Sequence, residues 1–238
     1  MNAAIVSPLA GTIPEADRDL RQHIRDFALT DAEPWHREHL TRLYGVWDDL
    51  NREQYGNAMM VPIIQLLEPV APMVYGDCSS VSGTGARSQI RLRPSLLRGT
   101  HPHMRDNAEG RFRFVADVLM HEQIHQYHQE ITGIREPNYH GHGPAFCGLC
   151  NDIGYDLGLA DVIVKKRPKH DGPRCAQWPH CVRPLSYYLG AYVPPSGDNR
   201  EAKEIARCRA YLERRGYAVT APARNAPYRD TCARRFVA

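Results

Sequence analysis

Apolar residues recur at helical spacing in two early stretches, Glu15 to Leu29 and Glu38 to Asn51, and both predict amphipathic helices. In the second, Leu40, Leu43, Tyr44, Trp47 and Leu50 fall on one face. The pattern then shortens. Within Asn57 to Leu67 the run MVPIIQLL is apolar and of strand length. Gly76 to Gly85 is rich in glycine and serine and reads as a turn region. Gln89 to Arg93 alternates Ile90 and Leu92 with Gln89, Arg91 and Arg93, the signature of a short half-buried strand that Pro94 closes.

The clearest helix runs from Phe112 to Ile131, with Phe114, Val118, Leu119, Ile124 and Tyr127 as its apolar positions and Gly133 as its stop. After a glycine-rich loop, Pro144 is placed to open a further helix, to which Phe146, Leu149 and Ile153 give an apolar side. From Lys165 the composition shifts to Lys, Arg and Pro, marking a boundary, and 201–215 (EAKEIARCRAYLERR) again shows helical spacing. Few strands among longer helices predict an α+β fold.

Charge sharpens this layout. The net charge is only +3, but from Val162 onward the chain carries 16 Lys and Arg against 6 Asp and Glu, and the remainder carries 14 against 21. An acidic body with a basic tail is a footprint of nucleic-acid contact, although a solubilising surface has the same composition. Seven cysteines, an odd number in a chain too large to need disulfide staples, point to a reducing compartment. The absence of a long apolar segment and of a signal-like N-terminus leads to the expectation of an intracellular, cytoplasmic protein without membrane contact.

Inside the clearest helix lies His121-Glu122-Gln123-Ile124-His125. Residues four apart on a helix are about 40° apart in rotation and rise about 6 Å, so both imidazoles reach one cation from one face. Neutral imidazole is a preferred ligand of Zn2+, and a catalytic zinc keeps one position for water. Glu122 is then placed to take that water's proton. The competing interpretation is a pair of surface histidines on an amphipathic helix. A third protein ligand is required, and the segment His140-Gly141-His142-Gly143-Pro144 offers two candidates, His140 and His142. His128 lies a further turn along, too far to close a site with His121.

Several ordered segments resemble the SprT-like family of zinc metallopeptidases, which includes DNA-dependent proteases. LNREQYG (Leu50 to Gly56) resembles the helix end before that family's first strand. YGDCSS followed by QIRLRPSLL resembles its Gly-Cys strand and the segment after it, VLMHEQIHQYH its zinc helix, and GHGPAFCGLCNDIG the segment that donates its third ligand. The likeness spans about residues 45 to 160. It implies a zincin-like α+β peptidase domain over 31–160, after an N-terminal leader and helix over 1–30, and a small basic C-terminal subdomain over 161–238 that is zinc-ribbon-like. It selects His142 over His140, making His121, His125 and His142 the zinc ligands and Glu122 the catalytic residue. It also implies a second, structural zinc, for which Cys175 and Cys181 are the candidates, with His170, His180, Cys208 and Cys232 as partners. Cys147 and Cys150, despite their C-x-x-C spacing, are read as buried thiols.

The expected substrate is therefore protein, bound or crosslinked to DNA. DNA, preferably single-stranded, is the expected partner, contacted by Lys165, Lys166, Arg167 and Lys169, and a nucleoid-associated location fits the same reading. Trp178, Tyr187, Tyr188 and Tyr192 fit the core of a small sheet better than a base-stacking platform. Tyr139 and Tyr155 are candidate oxyanion donors. Two other functions fit the residues: a nucleic-acid-binding protein with a purely structural zinc, and a peptidase for one protein partner without DNA.

Overall fold

The computed structural model describes residues 15–68, 74–81, 85–99, 104–164 and 172–190. Helix α1 (Glu15–Asp31) is followed by a 3-10 turn (Pro34–His36) and α2 (Arg37–Tyr55). Three strands come next, β1 (Ile63–Leu66), β2 (Gly76–Ser80) and β3 (Ser88–Leu92). Then follow the short α3 (Pro94–Leu97), the long α4 (Ala108–Tyr127), α5 (Pro144–Asp156) and a one-turn α6 (Leu185–Leu189). The α+β class expected from the pattern is what is seen. The helix expected over 201–215 lies outside the described residues.

The apolar stripes are buried where their period placed them, except that Tyr127 and Leu149 are half-buried. Leu40, Leu43 and Trp47 of α2 are wholly or almost wholly buried, and Gly56, at φ +59°, ends that helix in the left-handed conformation. The sheet has the order β1-β3-β2, with β1 parallel to β3 and β2 antiparallel to it. Register pairs Ile64 with Ile90 and Leu66 with Leu92, and Ile64, Ile90 and Leu92 have no exposed surface.

Strand β2 is a correction to the hydrophobic pattern, which made Gly76 to Ser80 part of a turn. Gly, Asp and Ser have poor strand propensity, and β2 buries no side chain fully. Its ladder to β3, from Gly76 opposite Leu92 to Ser80 opposite Ser88, and the Arg91 Nε to Asp77 Oδ1 bond of 2.8 Å hold it as an edge strand. Gly76 has a steric duty as well. A Cβ there would stand 2.7 Å from Val118 Cγ1 and 3.2 Å from Glu122 Cγ, so only glycine lets β2 cross so close to α4.

Helix α4 is the centre of the core. It starts four residues before the predicted Phe112, because the Asn107 side chain accepts the Gly110 N–H at 2.8 Å. It is buried on nearly every side from Asp117 to Ile124. Its last turn widens into a π-turn, His128–Thr132, that Gly133 terminates at φ +65°. Glu130 in that turn accepts from Met60 N, Ser88 Oγ and Gln126 Nε2, tying the helix end to the starts of β1 and β3.

Residues 172–190 pack onto α4. Arg183 and the Tyr188 hydroxyl both donate to the buried Asp117 carboxylate, at 3.2 and 2.7 Å. Gly110 permits the approach, since a Cβ there would collide with Tyr188 O. Trp178 and Tyr188 are core residues, 1% and 5% exposed, but Trp178 directly follows a 3-10 turn (Cys175–Gln177) and Tyr188 lies in α6, so neither is in a sheet. Tyr192 lies outside the described residues. Replacing Asp117 by Ala leaves a buried guanidinium and hydroxyl without their acceptor, and should cost about 3–5 kcal/mol of stability in a urea titration. A loss under about 1 kcal/mol would show that Asp117 does not secure this segment.

Candidate metal centre

His121 and His125 project from the same face of α4, with ring centroids 5.1 Å apart. The loop before α5 brings His142 to them. Its Nε2 lies 3.0 Å from His121 Nε2 and 3.2 Å from His125 Nε2. Among the described residues these three form the only group of metal-ligating side chains whose donor atoms all lie within 4.8 Å of one another. Zinc–nitrogen bonds of about 2.0–2.1 Å in a tetrahedron put ligand nitrogens about 3.3 Å apart. The observed spacing fits that cation.

Protonation favours the same conclusion. His121 Nδ1 sits 2.7 Å from the carbonyl oxygen of Trp178. A carbonyl only accepts, so the ring proton is on Nδ1 and the Nε2 lone pair faces His142. Burial first, and then the neighbouring His142, depress the His121 pKa to about 3. Burial, followed by His121 and His142, takes His125 to about 2. Both rings are therefore neutral throughout the physiological range, the form that ligates metals.

Phe146, wholly buried in α5, forms the floor. Its ring lies 4.8, 4.6 and 4.8 Å from the His121, His125 and His142 rings. Gly141, at φ +77°, passes over His125, where a Cβ would lie 3.2 Å from the ring's Cε1. His140 is exposed at the cleft rim and outside the three-histidine group. His128 is buried, 6.4 Å from the Phe146 ring centre, and also outside it.

Glu122 is 5% exposed and lines the cleft that holds the histidines. Burial, with a smaller contribution from Asp77, pushes its carboxyl up to about 8. A bound dication would act in the opposite sense and favour the carboxylate. The cleft, about 760 Å³, runs between the edge strand β2 (Gly76, Asp77, Cys78) and the turn carrying Trp178 and His180. A second cavity of about 500 Å³ adjoins it, and the two share His125, Gln129 and Gly141.

Other expected site residues fall elsewhere. Cys175 is buried and donates to His142 O at 3.3 Å, while Cys181 is half-buried and donates to Arg174 O at 3.5 Å. Of the partners considered for them, His180 places Nδ1 3.2 Å from the Tyr188 hydroxyl, and His170, Cys208 and Cys232 lie outside the described residues. Cys147 and Cys150 are buried thiols. Lys165, Lys166, Arg167 and Lys169 also lie outside the described residues. Neither Tyr139 nor Tyr155 lines the cleft. Sequence reasoning missed Trp178 and Asp77, one acting through a backbone carbonyl and the other hidden in a stretch that reads as a turn.

The geometry separates the two loop histidines experimentally. His142→Ala should weaken zinc binding, measured by competition with a chromogenic chelator, by more than about 100-fold, since even outer-sphere partners of a metal site cost about 10–100-fold. His140→Ala should leave it nearly unchanged. Equal losses for the two would remove His142 from its assigned place.

No family model, no curated protein and no solved structure matches this chain, so the case for its chemistry rests on its own residues.

Proposed function

We propose that this chain is a zinc-dependent metalloendopeptidase of zincin-like fold, acting on proteins bound or crosslinked to DNA. The observation that carries the proposal is the convergence of three imidazoles, with donor atoms within 4.8 Å of one another, beside a buried carboxylate in a cleft bordered by a sheet edge. A purely structural zinc has no use for that carboxylate or for an open cleft.

His121, His125 and His142 would hold a zinc ion, which would supply a Lewis acid for a peptide carbonyl and for the attacking water. The chain's own groups supply the rest. Glu122 accepts the proton of the water as it attacks the carbonyl carbon, and returns it to the amide nitrogen as the C–N bond breaks. Trp178 O holds the His121 ring in the tautomer that presents Nε2. An extended substrate laid along β2 gains main-chain hydrogen bonds from the strand edge.

The DNA part rests on the basic balance after Val162 and on the run Lys165-Lys166-Arg167-Pro168-Lys169. Arg and Lys contacts to phosphate give sequence-independent affinity that falls with salt. The cytoplasmic, nucleoid-associated setting belongs to the same proposal.

Glu122→Gln should retain zinc and lose about 10²- to 10⁴-fold in the rate of cleavage of a generic protein. Loss of metal in that variant would make Glu122 a ligand, and normal cleavage would remove it from the mechanism. Replacing Lys165, Lys166, Arg167 and Lys169 together by Ser should weaken single-stranded DNA binding. Its log–log salt dependence should flatten by about 0.7 for each phosphate no longer neutralised. An unchanged slope, or equal proteolysis with and without DNA, would leave a peptidase that does not use DNA.

A further inference from the structure

Eight residues from Tyr139 to Phe146 carry the third histidine, and one residue outside that span organises it. The backbone carbonyl of Glu136 accepts from Tyr139 N and Gly141 N, each at 3.0 Å. Its carboxylate reaches forward to the start of α5, where Oε2 accepts from Gly143 N at 2.9 Å and Phe146 N at 3.2 Å, and Oε1 from Ala145 N at 2.8 Å. Five backbone N–H groups thus converge on a single residue, and His142 lies between the two sets.

The loop needs such a fixture. His140 and Gly141 are both left-handed, at φ +52° and +77°, and a non-glycine residue in that region persists only where its surroundings impose it. The first N–H groups of a helix lack intrahelical acceptors, and Gly143, the N-cap of α5, offers no side chain to satisfy them. A carboxylate supplies acceptors and also complements the positive end of the helix dipole. Gly143 completes the fit, because a Cβ there would stand 2.5 Å from Glu136 Oε1.

We infer that Glu136 is the positioning residue of the metal centre, clamping the loop so that His142 Nε2 meets His121 and His125 before any cation arrives. The inference rests on the metal-binding reading proposed above. Glu136 touches neither substrate nor metal, and acts through His142.

The test is a double-mutant cycle in zinc affinity, measured by chelator competition on the full chain, with thermal unfolding of each metal-free protein alongside. Glu136→Gln keeps the side chain's size but turns one acceptor into a donor facing backbone N–H groups. It should weaken zinc binding about 10- to 100-fold in the wild-type background, and by less than about twofold when His142 is already Ala. Gly143→Ala, which displaces the carboxylate from the other side, should show the same dependence on His142. The Co2+-substituted Glu136→Gln protein should have a d–d spectrum shifted toward that of His142→Ala. Equal weakening in both backgrounds would show that Glu136 supports the fold at large, and no weakening would show that the loop holds itself; either overturns the inference. Failure of the wild-type chain to bind zinc would instead overturn the metal reading beneath it.

Discussion

A helix at the centre of the core buries polar side chains on several of its faces, and the elements packed around it meet most of their hydrogen-bonding needs. Asp117, His121, Glu122, Gln123 and Gln126 of α4 are all at most 9% exposed. An unpartnered buried polar group costs about 1–3 kcal/mol, so the elements around α4 are placed where they supply partners. The α2 helix offers Trp47, whose carbonyl accepts from Gln123 Nε2 and whose indole donates to Gln126 Oε1. The segment 178–188 offers the Trp178 carbonyl to His121, and Arg183 and Tyr188 to Asp117. The loop before α5 offers His142.

Those partners fix the rotation of α4 about its axis. Gln123 stands about 160° round the helix from His125, so its bond to α2 turns the histidines toward the cleft. Gln126 reinforces the setting through Met60 O at 2.7 Å, beside the entry to β1. On the cleft side, Gly76 lets β2 lie against Val118 and Glu122. Preorganisation of this kind is what a metal site needs, because ligands held in place before binding lose little freedom on binding. Burial in the core, with Phe146 against both rings, removes His121 and His125 from water and keeps them neutral.

Much of this was legible in the chain because it is local. The stripes of α1 and α2, the proline that opens α5, Gly133 as a stop and the four-residue spacing of His121 and His125 all depend on near neighbours. Strand β2 was legible only through the resemblance of YGDCSS to a strand and not in the hydrophobic pattern, because its poor propensity is overridden by pairing with β3 and by the steric opening at Gly76. The Trp178 carbonyl was not legible either: it is a backbone group 57 residues from its partner. A buried polar residue in an apolar helix announces that a partner exists without saying which. Gln123 and Gln126 are such residues, not singled out in the sequence, and the folded chain supplies Trp47 and Met60 as their partners. His140 and His142 show the same limit, since both precede α5 and only the left-handed turn at His140 and Gly141 sends one of them inward.

The central claim is that three imidazoles of this chain form a preformed zinc site with room for one further oxygen ligand. X-ray absorption at the zinc edge, on the full chain loaded with one equivalent of zinc, tests it most directly. A site of this kind predicts a first shell of nitrogen and oxygen at about 2.0–2.1 Å, with outer-shell scattering from three imidazole rings. A sulfur shell at about 2.3 Å, or fewer than three imidazoles, would contradict it.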